Sequence, residues 1–242
     1  DWGRDWVYRH TMTPKGATFS ADQSEFVRVP RVTDLDVDGK GQLIVSSWKG
    51  ASFTYVGEDV GYLVSIRPKS QGWKAVTTKN LTELDVPALL NDLKSPSHVA
   101  RLAAQRELIS RPLDDSALAK LGALIADSSV SLESRVAAIF AWKLGAGEKA
   151  TAQLARFVSD PLIGEYAVRA LGDQPDKHFP LNEVIAALKS DLPRMRRAAV
   201  FALWRQGSPE AATALMPVTV DVDPIVAHTA RRALLEMKAT AP

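Results

Sequence analysis

Pro193-Arg194-Met195-Arg196-Arg197-Ala198-Ala199-Val200-Phe201-Ala202-Leu203-Trp204 decides how the larger part of this chain is read. It opens on a proline, one of a series that punctuates the chain between helices. It then sets a basic residue before a small pair and a large apolar residue one turn later, so one helix face alternates close approach with a filled groove. Related stretches recur through the chain. They are Arg101-Leu102-Ala103-Ala104 closing at Leu108, Arg135-Val136-Ala137-Ala138 closing at Trp142, Gly164-Glu165-Tyr166-Ala167 closing at Leu171, and Ala227-His228-Thr229-Ala230 closing at Leu234. Their first positions are 29 to 34 residues apart, the period range of stacked helical repeats.

Working outward, a second apolar run precedes each of these: 86–93, 118–126, 150–158, 181–188 and 211–217. Pro96, Pro112, Pro161, Pro193, Pro209 and Pro224 fall between runs, where proline ends one helix or begins the next. The last of the five partner helices is expected to be short, because Pro217 and the β-branched Val218-Thr219-Val220 interrupt it. Five helical hairpins are therefore predicted over residues 81–242, and the pattern resembles HEAT or HEAT-like repeats of the phycobilisome-lyase type.

Residues 1–80 have a different character, with β-branched and aromatic residues broken by turn signals. Val32 to Trp48 is the clearest unit. Leu35 and Val37 alternate with Asp34, Asp36 and Asp38, Asp38-Gly39 signals a turn, and Gln42–Trp48 returns. With Trp6–Thr11 before it and Gly61–Arg67 after it, the expectation is a four-stranded antiparallel sheet. Its apolar face is assigned to Leu35, Val37, Leu43, Val45 and Leu63. Such a sheet has open edges and too little of its own to cover that face, which makes this the less stable part. The fold class is thus α+β in separate parts, divided at 80/81.

Composition narrows the chemistry. The 30 basic and 28 acidic side chains nearly cancel, so nucleic acid is not an expected partner. No cysteine is present, which removes disulfides, thiolate metal sites, a cysteine nucleophile and C-x-x-C-H haem attachment within these residues. No apolar run reaches the roughly 18 residues needed to cross a bilayer, so membrane insertion by this chain is not expected. Asp1–Trp6 lacks signal-peptide order, and an export signal would have to lie upstream.

Candidate sites are few. Asp34-x-Asp36-x-Asp38-Gly39 resembles the start of a calcium loop, but the twelfth position is Val45 rather than glutamate, and a strand with an outward polar face explains the same residues. His10, His98, His178 and His228 are too dispersed for metal-ligand spacing. Gly145-Ala146-Gly147 reads as a helix stop. Trp142 and Trp204 are assigned to packing between repeats. Arg101, Arg135, Arg196 and Arg197 are candidates for a binding ridge facing an anionic partner. In HEAT-like arrays that arginine commonly bonds neighbouring acids or helix carbonyls, and the structural role is preferred. No catalytic set of acid, base and nucleophile is found.

Beyond the repeats, Tyr8-Arg9-His10, Pro14–Phe19, Phe26–Pro30, Thr33–Gly39, Trp48–Phe53, Val60–Leu63 and Pro96–Leu108 stand in an order that resembles the large bacterial membrane-bound dehydrogenase-like, haem-binding proteins, themselves similar to glucose/sorbosone dehydrogenases. The resemblance covers residues 1 to about 110. It implies a propeller-blade-like β segment, a HEAT-repeat middle and a cytochrome c module in an exported, periplasmic parent, with haem c or pyrroloquinoline quinone bound elsewhere. A blade needs about 40 residues and a propeller at least four blades, so the remaining blades are expected upstream. On this reading the chain is a non-catalytic scaffold whose partners are proteins or neighbouring domains of the same polypeptide. The alternative is a free-standing HEAT-repeat binding module without a redox role.

Overall fold

The computed structural model describes residues 1–49, 58–70, 74 and 79–237. Among them it has five strands and ten α-helices, an α+β layout in which small sheets precede a helical repeat part. The Gly50–Phe53 part of the family-like segments lies outside the described residues. Two compact units are present. One comprises Asp1–Thr13, Ser20–Asn80 and Pro96–Ala100, the other Pro14–Phe19, Leu81–Ser95 and Arg101–Pro242.

β1 (Trp6–Lys15) and β2 (Thr18–Arg28) form a two-stranded ribbon whose Pro14–Phe19 end belongs to the second unit, and in the first unit β3 (Asp34–Val37), β4 (Leu43–Trp48) and β5 (Gly61–Ile66) form a separate three-stranded antiparallel meander. The expected single four-stranded, blade-like sheet is corrected to these two. β2 went unpredicted because Ser20-Ala21-Asp22-Gln23-Ser24-Glu25 offers no apolar alternation, and its residues are exposed except Val27. Ribbon pairing there rests on backbone hydrogen bonds rather than on a buried face.

Register decides which apolar residues of the meander meet. Leu35 aligns with Val45 and Val64, and Val37 with Leu43 and Ile66. Leu63 pairs with Ser46 on the opposite face and is 73% exposed, so the assigned apolar face is corrected: its β5 contribution is Val64 and Ile66. A one-residue shift moves every side chain to the other face. The buried core here is four valines, Val7, Val29, Val32 and Val45. At the hairpin, the Asp38 carboxylate accepts the N–H groups of Lys40 and Gln42 at 2.9 and 2.8 Å, and Gly41, not Gly39, takes the left-handed conformation.

The second unit follows the predicted hairpins. The helices are α1 (Val86–Asp92), α2 (His98–Ile109), α3 (Asp115–Ala126), α4 (Leu132–Ala146), α5 (Glu148–Ala155), α6 (Gly164–Asp173), α7 (Leu181–Ala187), α8 (Pro193–Gln206), α9 (Pro209–Leu215) and α10 (Pro224–Glu236). Their ends follow local chemistry. Asp85, Asp114, Ser131, Ser208 and Asp223 cap with side-chain oxygens, and Pro193, Pro209 and Pro224 are the first residues of their helices. Gly147 and Gly207 end α4 and α8 at positive φ. α9 stops after seven residues and gives way to a 3-10 turn at Met216–Val220, where Pro217 supplies no N–H.

The second helices of successive hairpins pack in series, α4 on α6, α6 on α8 and α8 on α10. The small residues permit this. Ala104, Ala138, Ala167, Ala199 and Ala230 are fully buried, and the closing Leu108, Trp142, Leu171, Leu203 and Leu234 fill the core between them. Gly172 marks a close approach of α6 to α8: a Cβ there would lie 2.6 Å from that of Ala202.

Candidate functional site

The repeat arginines turn inward. Arg135, 4% exposed, donates from Nε to the Ile125 carbonyl at 2.7 Å and reaches Asp160 of the next hairpin at 3.3 Å. Arg196 repeats this two hairpins on, donating to the Ser190 carbonyl at 2.8 Å and holding Asp221 in a fork at 2.8 and 2.7 Å. Arg101 donates to the Ser95 carbonyl at 2.7 Å. The third repeat carries Gly164 in this slot, where the Val158 carbonyl and Met195 leave no room for a Cβ. Of the four expected ridge residues, therefore, Arg135 and Arg196 are buried struts between hairpins, and only Arg197 joins the open cavity described below.

The acids show the cost and return of burial. The Arg196 fork holds Asp221 below the usual carboxylate range against the opposing effect of burial. For Asp160, burial pushes upward, but the N–H groups of Ile163 and Leu162 together with Arg135 outweigh it and hold the carboxyl low. Asp176 behaves alike: burial opposes ionisation, and Lys143 and Thr151 overcome it. Lys143 is 2% exposed, 2.7 Å from Asp176 and 2.8 Å from the Thr151 hydroxyl. Sequence reasoning passed over this buried lysine, since a single lysine in a helical run looks like solvated surface.

On the outer side of α6 and α8 lies a cavity of about 360 Å³. Buried Gly172, Ala198 and Ala202 form its floor, and the aromatic rings of Phe19, Tyr166 and Phe201 stand around it. Its charged lining is four arginines and two acids. Arg194 meets Glu165 at 3.5 Å and Arg205 pairs with Asp173, whereas Arg169 and Arg197 form no ion pair among the described residues. Arg197 stacks over Phe201 at 5.5 Å and Arg194 over Phe19 at 5.3 Å.

The turn joining β1 and β2 contributes Ala17 to this lining, and the start of β2 contributes Phe19. Ala17 is buried in the helical core, its N–H donating to Asp223 at 2.8 Å and its carbonyl accepting from Arg197 at 3.2 Å. Gly16 takes φ +56° with its Cα against the Asp223 carboxylate, a place without room for a side chain. Arg169, Arg194 and Arg205 were missed by reasoning anchored on the first residue of each repeat. The available signal was the three- to four-residue spacing of Arg194, Arg197, Phe201 and Arg205 along one helix face.

The remaining sequence candidates do not converge. Asp34 and Asp36 lie on the exposed face of β3, each accepting the N–H of the following residue, while Asp38 caps its own turn. The four histidines are exposed and apart. Among the described residues no group of three or more histidine, aspartate or glutamate side chains is placed to hold a metal ion, and no helix is long and apolar enough to cross a membrane. Trp142 is buried with its ring against Gly122 of α3, inside its own hairpin rather than between repeats, while Trp204 is half-buried and stacks on Phe201 of the same helix at 5.8 Å.

Residues 148–235, which contain α5 to α10, match the HEAT repeats family. The match bears out the helical-repeat reading for that stretch and lies outside residues 1 to 110, which carry the dehydrogenase-like resemblance. HEAT repeats are helical hairpins that mediate protein–protein interaction. No curated protein matches the chain. A crystal structure of an engineered protein is similar, with 21% identity and a TM-score of 0.43, over 64% of this chain and 79% of that one.

Proposed function

We propose that this chain is a non-catalytic interaction scaffold whose helical repeats dock another protein or a neighbouring domain of the same polypeptide. The observation that carries the reading is the open, partly unpaired face of α6 and α8 within the stretch that matches HEAT repeats. The inward charges serve the stacking of hairpins, and the outward ones remain available to a partner. The resemblance of residues 1 to about 110 to dehydrogenase-like, haem-binding proteins supports an exported, periplasmic oxidoreductase as the setting. Haem c or pyrroloquinoline quinone would then be bound outside these residues.

Hydrogen exchange provides the test, with the 242-residue chain compared against a longer polypeptide carrying whatever its reading frame encodes on either side, or against the chain mixed with a co-purifying protein. Protection of helix-face amides in the second unit is expected on docking. Unchanged exchange throughout the helices in both mixtures would overturn the scaffold reading. A reading frame with further propeller blades upstream and a C-x-x-C-H downstream would support the redox setting, and its absence would remove that setting alone.

A further inference from the structure

We propose that the cavity on α6 and α8 binds an acidic peptide segment bearing an aromatic or large apolar side chain. The inference rests on the scaffold reading and names the partner chemistry of that same face.

Charge selects the sign of the ligand. The two acids at the rim are each engaged by an arginine, Glu165 by Arg194 and Asp173 by Arg205. Arg169, exposed on α6, and Arg197 on α8 are left with no carboxylate among the described residues. The exposed Arg169 guanidinium favours a planar carboxylate, which it can grip with two parallel hydrogen bonds, and Arg197, already donating to the Ala17 carbonyl, adds positive charge beside it. The floor selects the accompanying group. It is small and apolar, and the rings beside it offer faces and edges to a further aromatic side chain. Its volume of about 360 Å³ suits one large side chain and adjoining backbone rather than a folded domain.

The turn at Ala17 supplies the argument for a peptide. One chain segment is already seated at the edge of this cavity with both polar groups of a residue satisfied, its N–H by Asp223 and its carbonyl by Arg197. The face thus reads polypeptide backbone as well as charge. A second segment on the Arg169 side would extend that mode, with acidic side chains meeting arginines in place of a carbonyl.

A random-peptide phage library selected on the immobilised 242-residue chain tests this, followed by fluorescence anisotropy of the enriched peptides. Enrichment of Asp or Glu next to Phe, Tyr, Trp or Leu is expected. Affinity should fall about tenfold when the peptide acids become amides, and about tenfold for Arg169→Glu, as expected for losing or reversing one close charge pair. Arg156→Glu, at an exposed arginine just past the end of α5 and outside the cavity lining, should bind as the parent does. Arg169 is exposed and forms no ion pair among the described residues, so its variant should retain the parent circular dichroism. Selection without acidic enrichment, or enriched peptides that bind Arg169→Glu unchanged, would overturn the proposal. Protection confined to α3 and α4 in the exchange experiment would sink this site while leaving the scaffold reading intact.

Discussion

Replacing Arg196 by methionine should weaken the end of the helical unit by about 3 kcal/mol, because it removes one partner of a nearly buried, hydrogen-bonded ion pair. The side chains of Arg196 and Asp221 are each 10% exposed, and Arg196 donates three hydrogen bonds of 2.7 to 2.8 Å, two to the carboxylate and one to the Ser190 carbonyl. A hydrogen bond to a charged group contributes about 1.5–3 kcal/mol, so the stranded carboxylate dominates the loss. Asp221→Asn keeps an acceptor for the Asp223 N–H, which Asp221 receives at 2.8 Å, and isolates the charge. Chemical denaturation of the parent, the two single variants and the double variant, followed by circular dichroism, gives the four stabilities needed for a double-mutant cycle, and the coupling should be about 1–3 kcal/mol. Because repeats are stabilised mainly by their neighbours, amides of α10 should exchange first in Arg196→Met. A loss below about 1 kcal/mol, or losses that simply add, would refute the strut role.

Three further outcomes follow from the same packing. Asp160, Asp176 and Asp221 titrate below ordinary carboxylates, so their contribution is complete above about pH 5, where unfolded carboxylates are ionised, and is lost as pH falls through the lower folded values. Thermal unfolding should therefore be flat from neutral pH to about pH 5 and then decline, less steeply in Asp221→Asn. Gly172→Ala should destabilise by about 2 kcal/mol or more despite alanine's better helix propensity, since the added methyl meets the Ala202 backbone; a stabilised variant in the same melt would show that α6 and α8 can separate freely. Deleting residues 1–80 should leave a folded helical protein that loses about 1–2 kcal/mol with the Ala17 hydrogen bonds, and collapse of its helical circular dichroism would count against a self-sufficient helical unit.

Much of the helical part is legible in order of residues alone. Capping aspartates and serines, first-turn prolines and the repeating small pair are local signals, and each acts within one or two turns of where it is written. The sheets were read less well. β3 and β4 carry a turn and alternation, but β2 is polar on both faces, and the choice of Val64 over Leu63 for the buried side depends on register with β4. A ridge of arginines was likewise half visible: the residues could be named, but not whether they face outward.

By itself, the sequence determined that a β-rich segment precedes helical hairpins of about 30 residues, and where most of those helices begin and end, because helix termini and periodicity are properties of contiguous residues. Tertiary structure decided the roles of the charges. Arg135 and Arg196 are struts since an aspartate 25 residues later is carried beside each by the stacking of hairpins. Arg169 and Arg197 line an open cavity since α6 and α8 meet over glycine and alanine and present them together. Proximity across hairpins is set by packing, and no local pattern encodes it.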